Sequence, residues 1–493
     1  MSKSKTEELF GGMSVQTVTM IIMAILEMFM FSFWSRHLTK QDFGYMSAIL
    51  GILALVEVIS QAGLGSAIIQ KKDASKEFVS TAFSLSILLG IGGSLLVFIL
   101  SPVLARLVAD ETITNPLRLM SMVLLIHSML SVANSQLTKQ LRFMRLSIIS
   151  VSSYVLGSVI GIVLIMNGFG LWALMCASLI VPLINLVLIY CTSISMPRFG
   201  IRKKEIKGIV NYGGWLTVGS LFNAFSQRAD SLLMSRLLSV EALGAYNRPA
   251  GFVNTISTKI NSVFDTVLFP LLSDIQDDQS KVKDVMLRSI SILNSCSIVL
   301  AAIFFFNAEL IITIFFGNQW LELVPVMRIV SLAVIFRIDG RLVDCFFRSL
   351  GLVKLGAYLR FVQGIIVVVA IVIGSRFGII GVAVSLVLSD IIIIITKVLA
   401  LTISVKVSIG DVIIKWLLAW RSILPFLVIS IPYMLISHNL LINIVYAVLF
   451  TIVFVSEFII WPKMVGGEYA VLVSPFLSKI LGKLKSKIHK KNV

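Results

Sequence analysis

About fourteen apolar stretches, each long enough to cross a bilayer, follow one another along the chain from Met13 to Trp461. This pattern leaves few folds open. A backbone in hydrocarbon has no water to satisfy its N–H and C=O groups, so each stretch must close its hydrogen bonds within itself, as a helix. With 57% of its residues hydrophobic and a mean hydropathy of +0.98, the chain has no soluble solution and reads as an all-α, polytopic membrane protein. The stretches begin with Met13–Ser35 and Phe43–Ile69. Leu117–Gln136, Trp215–Leu237, Phe252–Leu272 and Pro325–Phe346 are the fourth, seventh, eighth and tenth, and Trp416–Ile436 and Leu440–Trp461 are the last two. The first follows Lys3 and Lys5 and has no small-residue cleavage site behind it, so it reads as a retained helix rather than a signal peptide.

Charge sets the orientation, because cytoplasmic loops hold the excess of Lys and Arg. With the N-terminus inside, the inner loops carry Lys71, Lys72 and Lys76, then Lys139, Arg142 and Arg145, then Arg198, Arg202, Lys203, Lys204 and Lys207. An even number of spans returns the basic C-terminus to the same side, so both termini are expected in the cytoplasm. The net charge of +17 is then a topology signal spread over alternate loops, and it needs no nucleic acid to explain it. Cys176, Cys191, Cys296 and Cys345 fall in or beside apolar stretches without ligand-like spacing and read as packing residues, with no metal or cofactor implied.

The chain also repeats itself. Ser35, Arg36, Leu38, Thr39 and Gly44 are echoed two hundred positions later by Ser235, Arg236, Leu238, Ser239 and Gly244, and Phe169-Gly170 is echoed by Phe377-Gly378. The spacing predicts two six-helix bundles, residues 1–195 and 215–405, joined by a cytoplasmic linker at 196–214. Two additional helices follow at 406–462, and a basic tail at 463–493. Six is even, so the bundles run in the same direction and are expected to be related by a pseudo-two-fold axis along the membrane normal. Ile201, Lys204, Ile206, Ile209 and Val210 in the linker have the pattern of a short interfacial helix. In the tail Leu477, Ile480, Leu481, Leu484 and Ile488 form an apolar stripe opposite Lys479, Lys483, Lys487 and Lys490, which suits anionic membrane lipid.

Motifs spread over most of the chain resemble one family. Gly63-Leu-Gly-Ser-Ala-Ile-Ile-Gln-Lys-Lys-Asp73 with Thr81–Phe83, Arg142-Phe143 and Phe169-Gly-Leu-Trp-Ala-Leu174 carry the likeness in the first half. Asp230 with Leu232, Leu233, Leu237, Leu238, Gly244 and Tyr246, then Phe269-Pro-Leu-Leu-Ser273 and Phe316-Gly-Asn-Gln-Trp320, carry it in the second. As a set they resemble bacterial polysaccharide exporters of the colanic-acid type, in the multidrug, oligosaccharidyl-lipid and polysaccharide superfamily. The resemblance implies a flippase of the bacterial inner membrane that moves an undecaprenyl-pyrophosphate-linked oligosaccharide by alternating access. It further implies polymerase and glycosyltransferase machinery as partners in lipopolysaccharide or exopolysaccharide synthesis.

Charge inside the spans is consistent with such cargo. A central Arg, Lys or Asp costs roughly 2.5–3.5 kcal/mol on insertion scales, so each marks a wet cavity or an internal pairing. Arg228 and Asp230 lie in the seventh span, Lys259 and Asp265 in the eighth, and Arg328, Arg337, Asp339, Arg341 and Asp344 in the tenth. Arg337, Arg341 and Asp344 follow i, i+4, i+7 spacing and share a face that Arg348 continues, with Arg328 and Asp339 on the opposite side. Paired guanidinium groups suit phosphate oxygens, which makes Arg228, Lys259, Arg337 and Arg341 the candidate substrate-binding residues. An ion-pair ladder is the alternative for the tenth span. Glu27 and Glu57 in the first half, with Asp230, Asp265 and Asp344, either take part in ion coupling or pair with the cations of the cavity; Glu27 and Glu57 have Arg228 or Lys259 as partners. His127 reads as a hydrogen-bonded packing residue, and Asp390 as a packing anchor or an ion ligand. Gly90, Gly92 and Gly93, with Gly157 and Gly161, allow close helix approach.

Two other function classes compete. A membrane enzyme acting on the same lipid carrier would need an outer loop or domain to hold an acceptor, and the longest outer loops, around Ser101–Pro116 and Asn307–Val324, hold no clustered acid, His or metal constellation; the sequence has no GxxxxGK[ST] phosphate loop. An ion-coupled exporter of drugs or other amphiphiles would keep the fold, but the cation-rich tenth span suits an anionic head group better.

Overall fold

The computed structural model describes residues 3–71, 75–108, 111–192, 197, 199–435 and positions 442, 445, 446, 448, 449, 452 and 453, and every regular element among them is helical. The N-terminal helices are α1 (Lys3–His37), α2 (Lys40–Gln61), the short α3 (Leu64–Gln70), α4 (Lys76–Val108), α5 (Thr114–Lys139), α6 (Phe143–Met166) and α7 (Leu171–Thr192). There follow α8 (Lys203–Leu237), α9 (Val240–Asp274), α10 (Gln279–Phe306), α11 (Ala308–Ile311), α12 (Val324–Ser349), α13 (Val353–Ser375), α14 (Gly378–Val405), α15 (Ile409–Ala419) and α16 (Leu424–Leu435). Among the described residues ten helical segments are long and apolar enough to cross a membrane. The 35-residue α8 and α9 and the 26-residue α12 are long enough but are not among the ten, because polar residues interrupt their apolar runs. From Lys203 onward the expected linker is no separate interfacial helix, since its backbone runs unbroken into α8. The basic tail, and all but scattered positions of the stretch Leu440–Trp461, lie outside the described residues.

The repeat seen in the sequence is also a repeat of helix punctuation. α1 ends at His37 and α2 begins at Lys40; α8 ends at Leu237 and α9 begins at Val240, two hundred positions on. The two starts are capped alike. Thr39 Oγ1 accepts from the Asp42 N–H, and Ser239 Oγ accepts from the Ala242 N–H, each satisfying a donor that a helix N-terminus leaves free. Gly170 and Gly378, the second residues of the echoed Phe-Gly pairs, both hold positive φ, +50° and +71°, at the entrances to α7 and α14. Glycine adopts that turn without the Cβ clash another residue would meet.

The chain divides into two compact units that cut across the sequence halves. The first comprises Met1–Gly251, Thr313–Leu323 and Arg360–Leu386, and the second comprises Phe252–Ile312, Val324–Leu359 and Val387–Val493.

Within the first unit small residues bring helices together. A Cβ on Gly157 would fall 2.4 Å from the Val181 side chain and one on Gly161 2.9 Å from that of Ala177, so the expected GxxxG face of α6 packs on α7. The echoed glycines meet each other: a Cβ on Gly44 would lie 1.9 Å from the Val240 carbonyl oxygen, and one on Gly244 1.8 Å from that of Lys40. The Phe316–Trp320 motif lies against the end of α1, where the Ser35 carbonyl accepts from Gln319 Nε2 at 2.7 Å and Trp320 Nε1 at 2.9 Å. Arg36 donates to the Ile314 carbonyl at 2.8 Å, and Lys40 pairs with Glu322.

In the second unit α10 packs against α12 and α15 and carries the fully buried Asn294, Ser295 and Ser297. Val299 on this helix shares a core with Phe426, Tyr433 and Tyr446, the two tyrosine rings stacking 3.8 Å apart. Outward faces in both units are apolar, with Ile99 on α4, Met166 on α6 and Ile403 on α14 about 70% exposed. Such an exterior would aggregate in water and matches hydrocarbon.

Candidate functional site

On α12 of the second unit, Arg337, Arg341, Asp344 and Arg348 do share a face, and each reaches a different partner. Arg337 Nε donates to Asp390 Oδ2 on α14 at 2.8 Å, with both side chains mostly buried. Arg341 Nη1 donates to Thr258 Oγ1 on α9 at 2.6 Å, and its Nη2 stands 3.5 Å from Asn254 Oδ1. Asp344 Oδ2 accepts from Lys397 Nζ on α14 at 3.0 Å, with Lys397 only 4% exposed. Arg348 Nη2 donates to Asp265 Oδ2 on α9 at 2.9 Å, at a half-exposed position. The cause is elementary: a charge on an apolar helix is far cheaper when an opposite charge or a polar oxygen faces it. The face therefore runs alternately to α14 and α9. A phosphate reaching Arg337 or Arg341 must share or displace these partners. Lys259 is half-buried on α9, next to Thr258 in sequence.

The opposite side of α12 behaves as the spacing predicts. Asp339 points away from the ladder, is 5% exposed, and accepts from Trp416 Nε1 on α15 at 3.2 Å. Its other oxygen has no hydrogen-bond partner among the described residues.

In the first unit, α2, α5 and α8 assemble a second polar group. Glu57 Oε1 lies 2.8 Å from His127 Nδ1 and accepts from Gln61 Nε2 at 2.8 Å. Glu57 and Gln61 are one helical turn apart, so both side chains leave α2 on one face. They line a cavity of about 280 Å³ together with Ser220 and Arg228 from α8. Glu57 thus takes His127 as a hydrogen-bond partner and shares a cavity with Arg228. Asp230 accepts from the Ser231 N–H at 2.6 Å and lies 3.3 Å from the Ser231 hydroxyl, which donates to it.

Glu27 lines a separate cavity of about 320 Å³ in the same unit, and here a residue that sequence reasoning missed is central. The Arg248 guanidinium is held between the rings of Phe31 and Phe43, 3.8 and 3.5 Å from their centroids. Its Nη2 donates to the Phe31 carbonyl at 3.0 Å and to Ser35 Oγ at 2.7 Å. Its buried Nε has no partner among the described residues. The hydrophobic pattern placed Arg248 in a loop ahead of the eighth span, whereas α9 begins at Val240 and carries it two turns into a helix. The cap at Ser239 was the available signal. Lys397 escaped for a similar reason: it sits near the end of its apolar stretch, where long basic side chains usually reach for water.

Comparison with known proteins adds an independent line. Residues 33–325 match the model of a family described as polysaccharide biosynthesis protein. The chain is 22% identical over 445 residues to the lipopolysaccharide biosynthesis protein WzxC of Escherichia coli, covering 89% of this chain and 88% of that one. It is 26% identical over 302 residues to the succinoglycan biosynthesis transport protein ExoT of Rhizobium meliloti, covering 61% and 60%. Its fold is similar to that of the lipid II flippase MurJ in an inward closed conformation, with a TM-score of 0.67 at 14% identity, covering 90% of this chain and 99% of MurJ.

Proposed function

This chain is a multi-pass membrane protein of the polysaccharide biosynthesis protein family, and from that membership we propose that it is a flippase for lipid-linked oligosaccharide. The cargo in this reading is an undecaprenyl-pyrophosphate-linked oligosaccharide, carried from the inner to the outer leaflet of the bacterial inner membrane. Fourteen spans form two six-helix bundles plus two helices, with both termini cytoplasmic, and the bundles alternate access to the two faces. The observation that carries the reading is the set of cations on α12 and α14 of the second unit, the partly buried Arg337 and Arg341 and the buried Lys397, a costly arrangement in a membrane protein that has no anion to handle. The names of the relatives support it: ExoT is a succinoglycan biosynthesis transport protein and MurJ a lipid II flippase.

In this reading Arg337, Arg341 and Lys259 of the second unit contact the pyrophosphate, and Arg228 of the first unit is a further cargo-binding residue. Asp344, Asp265 and Asp390 hold the cations in place until cargo enters, and Glu57 with His127 is the pair suited to move a proton through the cycle. Asp230 keeps the α8 backbone ordered beside Arg228. The basic tail rests on anionic lipid, and the delivered cargo passes to polymerase and glycosyltransferase machinery. Ion-coupled export of another amphiphile is the second reading, and the Glu57–His127 contact is what favours it.

The test is complementation of a strain in which this gene is deleted. Loss of surface polymer with lipid-linked intermediates held on the cytoplasmic leaflet, restored by wild type and not by Arg341→Ala, is the expected result. Intact polymer in the deletion strain would overturn the reading in favour of another amphiphile.

A further inference from the structure

The cavity around Glu27 is poorly suited to a phosphate group. Glu27 and Arg248 both line it, and Ser47, Tyr154, Ser178 and Asn247 line it with them. In a low-dielectric site a carboxylate opposes a dianion strongly, so the second unit's cation row is the better place for a pyrophosphate. A lining that mixes acceptor, donor and hydroxyl groups suits a polyhydroxyl compound instead, because each sugar hydroxyl both donates and accepts. The cavity, about 320 Å³, is at the small end of small-molecule sites, room for one sugar ring rather than a chain of them.

Arg248 is prepared for such a ligand. The Phe31 and Phe43 rings and the two bonds to α1 fix its plane, so little rotamer freedom is lost on binding, and its buried Nε–H has no partner among the described residues. A site whose polar groups are built to meet particular hydroxyls rejects an analogue that presents them differently.

We propose that this cavity of the first unit binds a single sugar ring of the cargo glycan and sets which sugar the protein accepts. The proposal rests on the flippase reading above.

The experiment uses the full chain in proteoliposomes and three labelled probes: undecaprenyl-pyrophosphoryl-glucose, undecaprenyl-pyrophosphoryl-galactose and undecaprenyl-pyrophosphoryl-N-acetylglucosamine. Wild type is expected to move the best probe about tenfold faster than the worst, and Glu27→Gln and Asn247→Ala to compress that ratio to about threefold or less. Tyr154→Phe removes one hydroxyl with little change in volume, so it reads selectivity even where a bolder variant fails to insert. A ratio near one in wild type, a ratio unchanged in all three variants, or an equal slowing of every probe overturns the sugar subsite. So does a Glu27→Gln protein that loses only its response to an ion gradient, which would assign Glu27 to coupling. If wild type moves none of the three probes, the flippase reading itself falls, an outcome distinct from transport without selectivity.

Discussion

The two compact units solve the problem of charge in hydrocarbon in different ways. In the second, the charged face of α12 is stitched to its neighbours, with Arg337 on Asp390, Asp344 on Lys397 and Arg348 on Asp265. In the first, Glu57, Gln61 and Arg228 line one cavity, with His127 bonded to Glu57, and Glu27 and Arg248 line another. Bonds between helices join the charged face in the second, whereas in the first the polar groups, bonded to neighbours as well, also line cavities. The difference teaches that a row of charges in the sequence marks where helices are joined as readily as where cargo binds, and that isolated charges can build the roomier site.

The comparison breaks if charges of the second unit prove dispensable to stability. Lys397→Met strips the partner from a mostly buried Asp344, and removing one member of a buried pair costs about 3–5 kcal/mol. Thermal unfolding of the detergent-purified protein should show the largest loss of the series, and an unchanged midpoint would refute the stitched-face account.

Arg337→Ala should fall in the same range and should also abolish polymer export. The double variant Arg337→Leu with Asp390→Leu separates the two causes. Recovered stability with export still absent places Arg337 on the cargo, while recovery of both assigns it to the fold alone.

A packing change sets a scale for comparison. Gly44→Ala forces a Cβ to within 1.9 Å of the Val240 carbonyl oxygen, and overpacking of that kind costs about 1–3 kcal/mol. Reduced abundance of folded protein in the membrane fraction is the expected readout. Glu57→Gln should be milder for stability, about 0.5–1.5 kcal/mol for an altered hydrogen bond, yet severe for export, the reverse of the Lys397 result. Equal damage to both would erase the contrast between the units. Least of all, Arg348→Ala should shift stability by no more than about 1 kcal/mol, since its pair with Asp265 is half in solvent.

How far the site could be read in advance varies residue by residue. The shared face of Arg337, Arg341 and Asp344 and the separate side of Asp339 follow from helical spacing alone, and the structure reproduces both. Their partners were not legible, because Asp390, Lys397 and Thr258 lie on other helices and no local rule links positions so far apart in sequence. Arg248 was hidden for another reason. Its neighbours are too polar to register as a span, and only the capped start at Val240 reveals that it belongs to a helix.

The chain's chemistry by itself determined the all-helical character, the apolar exterior, the positions of helix ends repeated two hundred residues apart, and the glycines that let helices meet. Each of these follows from local physics: backbone hydrogen bonds in hydrocarbon, caps, positive φ and side-chain size. Tertiary structure alone decided that Gly44 and Gly244 touch one another, that His127 and not a cation pairs with Glu57, and that Arg248 stands between two rings beside Glu27. Such contacts join residues tens to hundreds of positions apart, and they are selected by the packing of whole helices, where volume and charge must be satisfied together.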